Sequence, residues 1–264
     1  MSALQSAVFT TPDGAEIAYK IRPGRDTFVL LHALGCDASL WTGVVAALPQ
    51  DVGLLIPEMR GHGGSTLGWR TPSVELWADD VVRLMGQKAI AAPAVVGISL
   101  GGYVALSIAA AQPSLARAYG LVSTTAAPDD EAGKQRRAAA ISTIRCSGWR
   151  TYFDAQVPQL LNETRMHASE RKEQLTRMFA RAGDTGLPPS LMALAARPDR
   201  RPLLVSIGVP TVVVVGALDE ITPPDRARAI ATAIGGARLH ILDDTAHLSV
   251  LESPSKVAGL LGTL

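Results

Sequence analysis

Ser99 stands in Gly97-Ile98-Ser99-Leu100-Gly101-Gly102, a G-x-S-x-G that follows the apolar run Pro93-Ala94-Val95-Val96 and leads into an Ala-rich, helix-favouring segment. A serine on such a sharp strand-to-helix turn is held in a strained backbone conformation that lifts its hydroxyl clear of the sheet. The turn closes only if its neighbours are small, and Gly97 and Gly101 lack the Cβ atoms that would collide. The helix start adds unpaired N–H groups and the positive end of a dipole, both suited to developing negative charge. The chemistry that fits is nucleophilic catalysis, with Ser99 as the attacking group. Taken alone, the same letters also fit a glycine-rich turn before a buried helix, so the partners decide.

A serine hydroxyl is a poor nucleophile near neutral pH and needs a general base, which in turn needs an orienting acid. Of the five histidines, His247 is the best placed, in Asp243-Asp244-Thr245-Ala246-His247 just after the strand-like run Arg238 to Leu242. His32 ends a strand and suits the loop after it, His62 lies in a glycine-rich loop, His167 in a helical region and His240 inside a strand. For the acid, Asp219 stands just past the run Thr211 to Val215, ahead of Pro223-Pro224, which start a helix. Glu220 and Asp225 are nearby alternatives; the order Ser, Asp, His along the chain favours Asp219. The tetrahedral oxyanion requires two fixed N–H donors. The backbone N–H of Leu100, directly after the nucleophile, is one candidate, and that of Leu34, in the loop after His32, is the other.

These residues must be positioned by strands that share an edge. Two short extended runs between Val8 and Ile21 flank Pro12-Asp13-Gly14 and predict a hairpin at the sheet edge. Thr27 to His32, Val52 to Pro57, Pro93 to Ile98, Ala118 to Ser123, Thr211 to Val215 and Arg238 to Leu242 predict further strands. Helical patterns fall between them at Ser39 to Leu48, Val74 to Gln87, after Ser99, from Pro224 to Ile234 and from Ser253. Alternation of this kind predicts an α/β fold with a mostly parallel sheet of about eight strands, covered on both faces. Ligands then belong at the carboxyl ends of the strands, where each candidate residue falls. From about Ala127 to Ser206 the alternation stops, and this region predicts several short helices interrupted by Gly148, Pro158, Gly183, Pro188-Pro189 and Pro198.

With 264 residues the chain can bury a large core. Charged residues make up 19% and the formal net charge is +1, which gives no bulk attraction to nucleic acid or a membrane surface. No apolar run approaches the roughly 20 residues of a membrane span. The opening Met1-Ser2-Ala3-Leu4-Gln5-Ser6 lacks the basic and apolar regions of a secretory signal, and two cysteines make no disulfide framework; both point to the cytoplasm. Cys36 and Cys146 are expected to be small buried hydrophobes.

Taken together, His32-Ala33-Leu34-Gly35, Glu58-Met59-Arg60-Gly61-His62-Gly63-Gly64-Ser65, Gly97 to Gly102, Asp219 to Pro224 and His247-Leu248 occur in an order that resembles the α/β-hydrolase family. The chain is similar to its compact, capped members, the 3-oxoadipate enol-lactonases and related small-ester hydrolases. It departs from the family pattern at Ala33, where glycine is usual, and at Glu58, where aspartate is usual. The resemblance implies an α/β-hydrolase core, residues 1–126 and 207–264, with a helical cap, residues 127–206, over the active site. It implies a Ser99, Asp219, His247 triad that cleaves a small carboxylic ester or lactone through an acyl-enzyme, with no metal or organic cofactor. Arg60 and His62 are expected to brace loops. Among the cap side chains, Trp149, Tyr152, Phe153, Met166, Met178, Phe179 and Met192 suit either the cap's own core or a partly apolar substrate group, and Arg145, Arg150 and Arg165 could face a substrate carboxylate. The same framework also serves perhydrolysis, thioester hydrolysis and C–C bond hydrolysis, and a ligand receptor with negligible turnover would keep the fold.

Overall fold

The computed structural model describes residues 3–264. Met1 and Ser2, part of the N-terminal segment read for a leader, lie outside the described residues. Eight strands run β1 (Gln5–Thr10), β2 (Glu16–Arg22), β3 (Arg25–Leu31), β4 (Val52–Pro57), β5 (Ala94–Ile98), β6 (Ala118–Val122), β7 (Thr211–Gly216) and β8 (Arg238–Leu242). They form one sheet in the order β1-β2-β4-β3-β5-β6-β7-β8. β1 pairs antiparallel with β2 across the Pro12-Asp13-Gly14 turn, and β2 pairs antiparallel with β4. From β4 onward all neighbours are parallel.

The central strands are continuous apolar runs because both faces are covered, and every residue of β5, β6 and β7 is buried. Alternate residues feed two cores. Leu30, Val96, Ile98, Val122, Val212 and Val214 pack on one face, and Val29, Leu31, Val95, Leu121, Val213 and Val215 on the other. Helices α1 (Thr42–Ala47) and α8 (Pro254–Leu261) cover the first face; α2 (Val74–Gln87), α3 (Leu100–Ala111) and α6 (Pro224–Ala233) cover the second. α2 starts at Ser73, whose side chain accepts from the Leu76 N–H, and it turns Trp77, Val81, Leu84 and Met85 inward. Each such fully buried side chain contributes about 1.5–3 kcal/mol.

Between β6 and β7 the chain leaves the sheet as a helical insertion of α4 (Glu131–Leu160) and α5 (Ala168–Ala195), followed by a 3-10 segment at Arg201–Ser206. The expectation of several short helices gives way to two long ones, each broken once, at Gly148 (φ 80°, ψ 160°) and at Gly183 (φ 54°, ψ −160°). The breaks face each other: the N–H of Trp149, left free by the kink, donates to Asp184 Oδ1 at 2.6 Å. Phe153 and Phe179 meet between the two helices as a tilted ring pair with centroids 4.9 Å apart. Cys36 is buried as expected, but Cys146 is exposed on α4. A short helix α7 (Ser249–Glu252) precedes α8. Among the described residues, no helix is long and apolar enough to cross a membrane.

Candidate active site

Ser99 lies between β5 and α3 with φ 53° and ψ −113°, a conformation that costs a non-glycine residue about 1–3 kcal/mol. Four hydrogen bonds hold its backbone there. Its N–H donates to the Val122 carbonyl at 3.0 Å, and its own carbonyl accepts from Gly102 N–H at 2.9 Å, from Tyr103 N–H at 3.2 Å and from the Thr124 hydroxyl at 3.0 Å. A Cβ at Gly97 would strike the Gly101 carbonyl, and one at Gly101 would strike the Leu31 carbonyl. The turn is therefore closed to any side chain at either glycine.

The chain leaves β7 at Gly216 and buries the Asp219 side chain within a largely exposed loop. Its carboxylate accepts from the Ile221 N–H at 3.0 Å, the Thr222 N–H at 2.8 Å and the Thr222 hydroxyl at 2.8 Å. His247 reaches the same carboxylate from the loop after β8, with Nδ1 at 3.0 Å from Oδ1 and 2.9 Å from Oδ2. A carboxylate accepts, so Nδ1 carries the proton and Nε2 is left with its lone pair. Burial works to raise the Asp219 pKa, but His247 and the Thr222 donors outweigh it and hold the carboxyl below its usual range. Glu220 and Asp225 are exposed, and Asp225 pairs with Arg228 at 3.6 Å. The two loops are also joined through their backbones, by Leu218 N–H to the Thr245 carbonyl at 3.0 Å.

Ser99, Asp219 and His247 thus follow the carboxyl ends of β5, β7 and β8 on one edge of the sheet. The structure pairs the histidine with the aspartate; among the described residues the Ser99 hydroxyl has no hydrogen bond. Such bonds are commonly loose without substrate.

The N–H groups of Leu34 and Leu100 have no acceptor among the described residues. Leu100 is the first residue of α3, where N–H groups have no partner within the helix. Leu34 follows β3, and His32 fixes its peptide plane. The His32 ring donates from Nδ1 to the Ala33 carbonyl at 2.8 Å and accepts the Met59 N–H at Nε2, 2.9 Å away. Because the Ala33 carbonyl and Leu34 N–H share one rigid peptide unit, holding the first aims the second. Burial pushes the His32 pKa down and keeps the ring neutral, the state this pair of bonds requires.

The glycine-rich loop after β4 braces this arrangement. Arg60 is buried and takes Asp80 through Nε at 2.6 Å and Nη2 at 2.8 Å, and Asp13 through Nη2 at 2.6 Å. His62 donates to the Arg60 carbonyl at 3.1 Å and lies beside His32 with centroids 5.1 Å apart. Glu58, where the shorter aspartate was expected, spans two loops: Oε1 accepts the Ala38 N–H at 3.2 Å and Oε2 the Gly64 N–H at 2.6 Å.

The insertion is fastened to the same edge. Arg181 of α5 binds Asp37 at 2.7 Å, Gln174 donates to the Ser39 carbonyl at 3.2 Å, and the Phe179 ring fills the space a Gly35 side chain would need. Arg165, a candidate for a substrate carboxylate, instead binds the Asp244 carbonyl at 3.1 Å and the Thr245 hydroxyl at 3.2 Å, while Arg150 pairs with Asp154 at 3.0 Å and Arg145 is exposed. Tyr152, Phe153, Met178 and Phe179 pack in the interior, and Met166 and Met192 face outward. Residues that sequence reasoning missed are Thr124, Thr222 and Glu252. The Thr222 position was legible in principle, as a hydroxyl three residues after the acid; Thr124 acts on Ser99 from 25 positions away, and Glu252 binds backbone N–H groups that any residue carries.

The sequence profile of the alpha/beta hydrolase family matches residues 28–260. A pimeloyl-[acyl-carrier protein] methyl ester esterase of Neisseria meningitidis is 27% identical over 88% of this chain and 74% of its own length. A thermophilic esterase from Thermogutta terrifontis superposes with a TM-score of 0.90 at 27% identity, over 97% of this chain and 96% of that one. The enol-lactonase from Burkholderia xenovorans superposes with a TM-score of 0.86 at 28% identity, over 93% and 94%.

Proposed function

Because the chain belongs to the alpha/beta hydrolase family, we propose that it is a serine hydrolase that cleaves a small carboxylic ester or lactone through an acyl-enzyme. The observation that carries this reading is the buried Asp219–His247 pair at the edge where Ser99 is held in strain. Relatives named as esterases and an enol-lactonase agree with the reaction class.

In the first half-reaction Ser99 Oγ bonds to the substrate carbonyl carbon as His247 Nε2 takes the hydroxyl proton. Negative charge gathers on the former carbonyl oxygen and is met by the N–H groups of Leu34 and Leu100, where loss of one such donor costs about 3 kcal/mol. Asp219 keeps the imidazole in the tautomer that can accept and stabilises the imidazolium that forms. Collapse breaks the bond to the alkoxide, which leaves with the proton from His247. Water then gives a proton to His247 as it attacks the acyl carbon, and collapse breaks the bond to Ser99 Oγ, which takes that proton back from His247 as the acid is released. In a lactone both products stay in one molecule.

Hydrolysis of p-nitrophenyl acetate, butyrate and octanoate by wild type and Ser99→Ala tests this. The expected result is turnover that falls by about 10⁴–10⁶-fold in the variant. A folded Ser99→Ala protein with near-wild-type rates overturns the mechanism.

A further inference from the structure

Glu252 is a buried carboxylate that the hydrolytic steps above do not use. It ends α7, and its two oxygens have separate tasks. Oε2 accepts the N–H of Ala246, the residue before His247, at 2.6 Å. Oε1 accepts the N–H of Asn162, in the segment between α4 and α5, at 2.7 Å. The same segment binds the histidine loop twice more. The Leu160 carbonyl accepts the N–H of Leu248, the residue after His247, at 3.0 Å, and Asn162 Nδ2 donates to the Asp244 carbonyl at 3.0 Å. Both backbone neighbours of His247 are therefore held, one by Glu252 and the other by the helical insertion.

We propose that Glu252 is a positioning residue for His247, joining the helical insertion to the loop that carries the base so that the imidazole is aligned only while the insertion is seated. This rests on the reading of His247 as the base. The chemistry of the side chain is specific. Two inward N–H donors need two acceptors, and a carboxylate supplies both. An amide at this position supplies one acceptor and turns an NH₂ donor toward the other N–H, so one of the two bonds must break. Burial holds the Glu252 pKa above the ordinary glutamate value, and the Asn162 and Ala246 N–H donors, with Arg165 and Arg171 nearby, oppose that rise. The cost of failure is geometric: a displacement of about 1 Å at a reacting group can lower a rate about 10²-fold.

The test compares wild type, Glu252→Gln and Asn162→Ala on p-nitrophenyl butyrate, with thermal unfolding and the proton NMR signal of the His247 Nδ1–H recorded for each. In Glu252→Gln, kcat is expected to fall about 10²-fold with KM little changed, and the Nδ1–H signal to shift or vanish. Asn162→Ala removes the bond to the Asp244 carbonyl together with the Oδ1 contacts to Thr164, keeps the backbone N–H that binds Glu252, and is expected to lower kcat by less while moving the same signal; it decides the matter if Glu252→Gln does not fold. Folded variants with wild-type kcat and an unmoved Nδ1–H signal overturn the proposal. If the wild type hydrolyses no ester, the proposed function fails, and the NMR comparison still decides whether Glu252 positions the ring.

Discussion

His247 Nδ1 lies 2.9 Å from one carboxylate oxygen of Asp219 and 3.0 Å from the other, and both side chains are buried. Exposed Glu220, the next residue in the chain, makes no such contact. Asp219→Asn is expected to fold as wild type and lose about 10⁴-fold in kcat, because an amide stabilises the wrong imidazole tautomer. Glu220→Gln is expected to turn over at close to the wild-type rate. Ester kinetics and circular dichroism on the two variants check this, and a larger loss in Glu220→Gln would move the acid role to its carboxylate.

Arg60 predicts a stability effect separate from chemistry. Its guanidinium is set between the buried carboxylates of Asp13 and Asp80 and pairs with both. Arg60→Met leaves both carboxylates without their partner and is expected to lower unfolding free energy by about 3–5 kcal/mol. Urea unfolding measures this. A loss below 1 kcal/mol would mean that the two carboxyls had been neutralised or hydrated at little cost.

His62 predicts an acid sensitivity. Burial, with His32 beside it, lowers the His62 pKa to about 3 from the ordinary value of 6.5. Between those values the unfolded chain takes up a proton that the folded chain refuses. The contribution is therefore fully present above pH 6.5 and is lost as pH falls from there toward 3. The urea midpoint is expected to drop from pH 7 to pH 5, and to drop less in His62→Leu, which has no proton to gain. Parallel curves for the two proteins would assign the acid loss to other groups.

The sheet was legible because buried parallel strands are apolar on both faces, so β5, β6 and β7 stand out as short, nearly unbroken apolar runs without charge. The serine turn was legible because its glycines are steric necessities. The helical insertion was legible as a region but not in its parts. Gly148 and Gly183 read as helix ends, whereas each is a single break in a helix that continues, steadied by Asp184 on the far side of the pair. Arg165 read as a cation available to substrate, yet its partners are a carbonyl and a hydroxyl about 80 positions away. Glu252 had no signal at all, since two backbone N–H groups carry no side-chain identity for a sequence to display.

The insertion is tied down on opposite sides of the site, at Leu160 and Asn162 on the histidine side and at Gln174 and Arg181 on the side of Ser39 and Asp37. Lifting it as one body breaks these contacts together with those of Asn162 N–H to Glu252 and of Arg165 to the Asp244 carbonyl and Thr245 hydroxyl, each with a net value of about 1 kcal/mol, so the seated form dominates. On the proposed reading of Ser99 as the nucleophile, an insertion fastened on two sides is expected to admit a ligand only as individual side chains step aside, so that the ligand's cross-section, more than its length, sets how readily it enters.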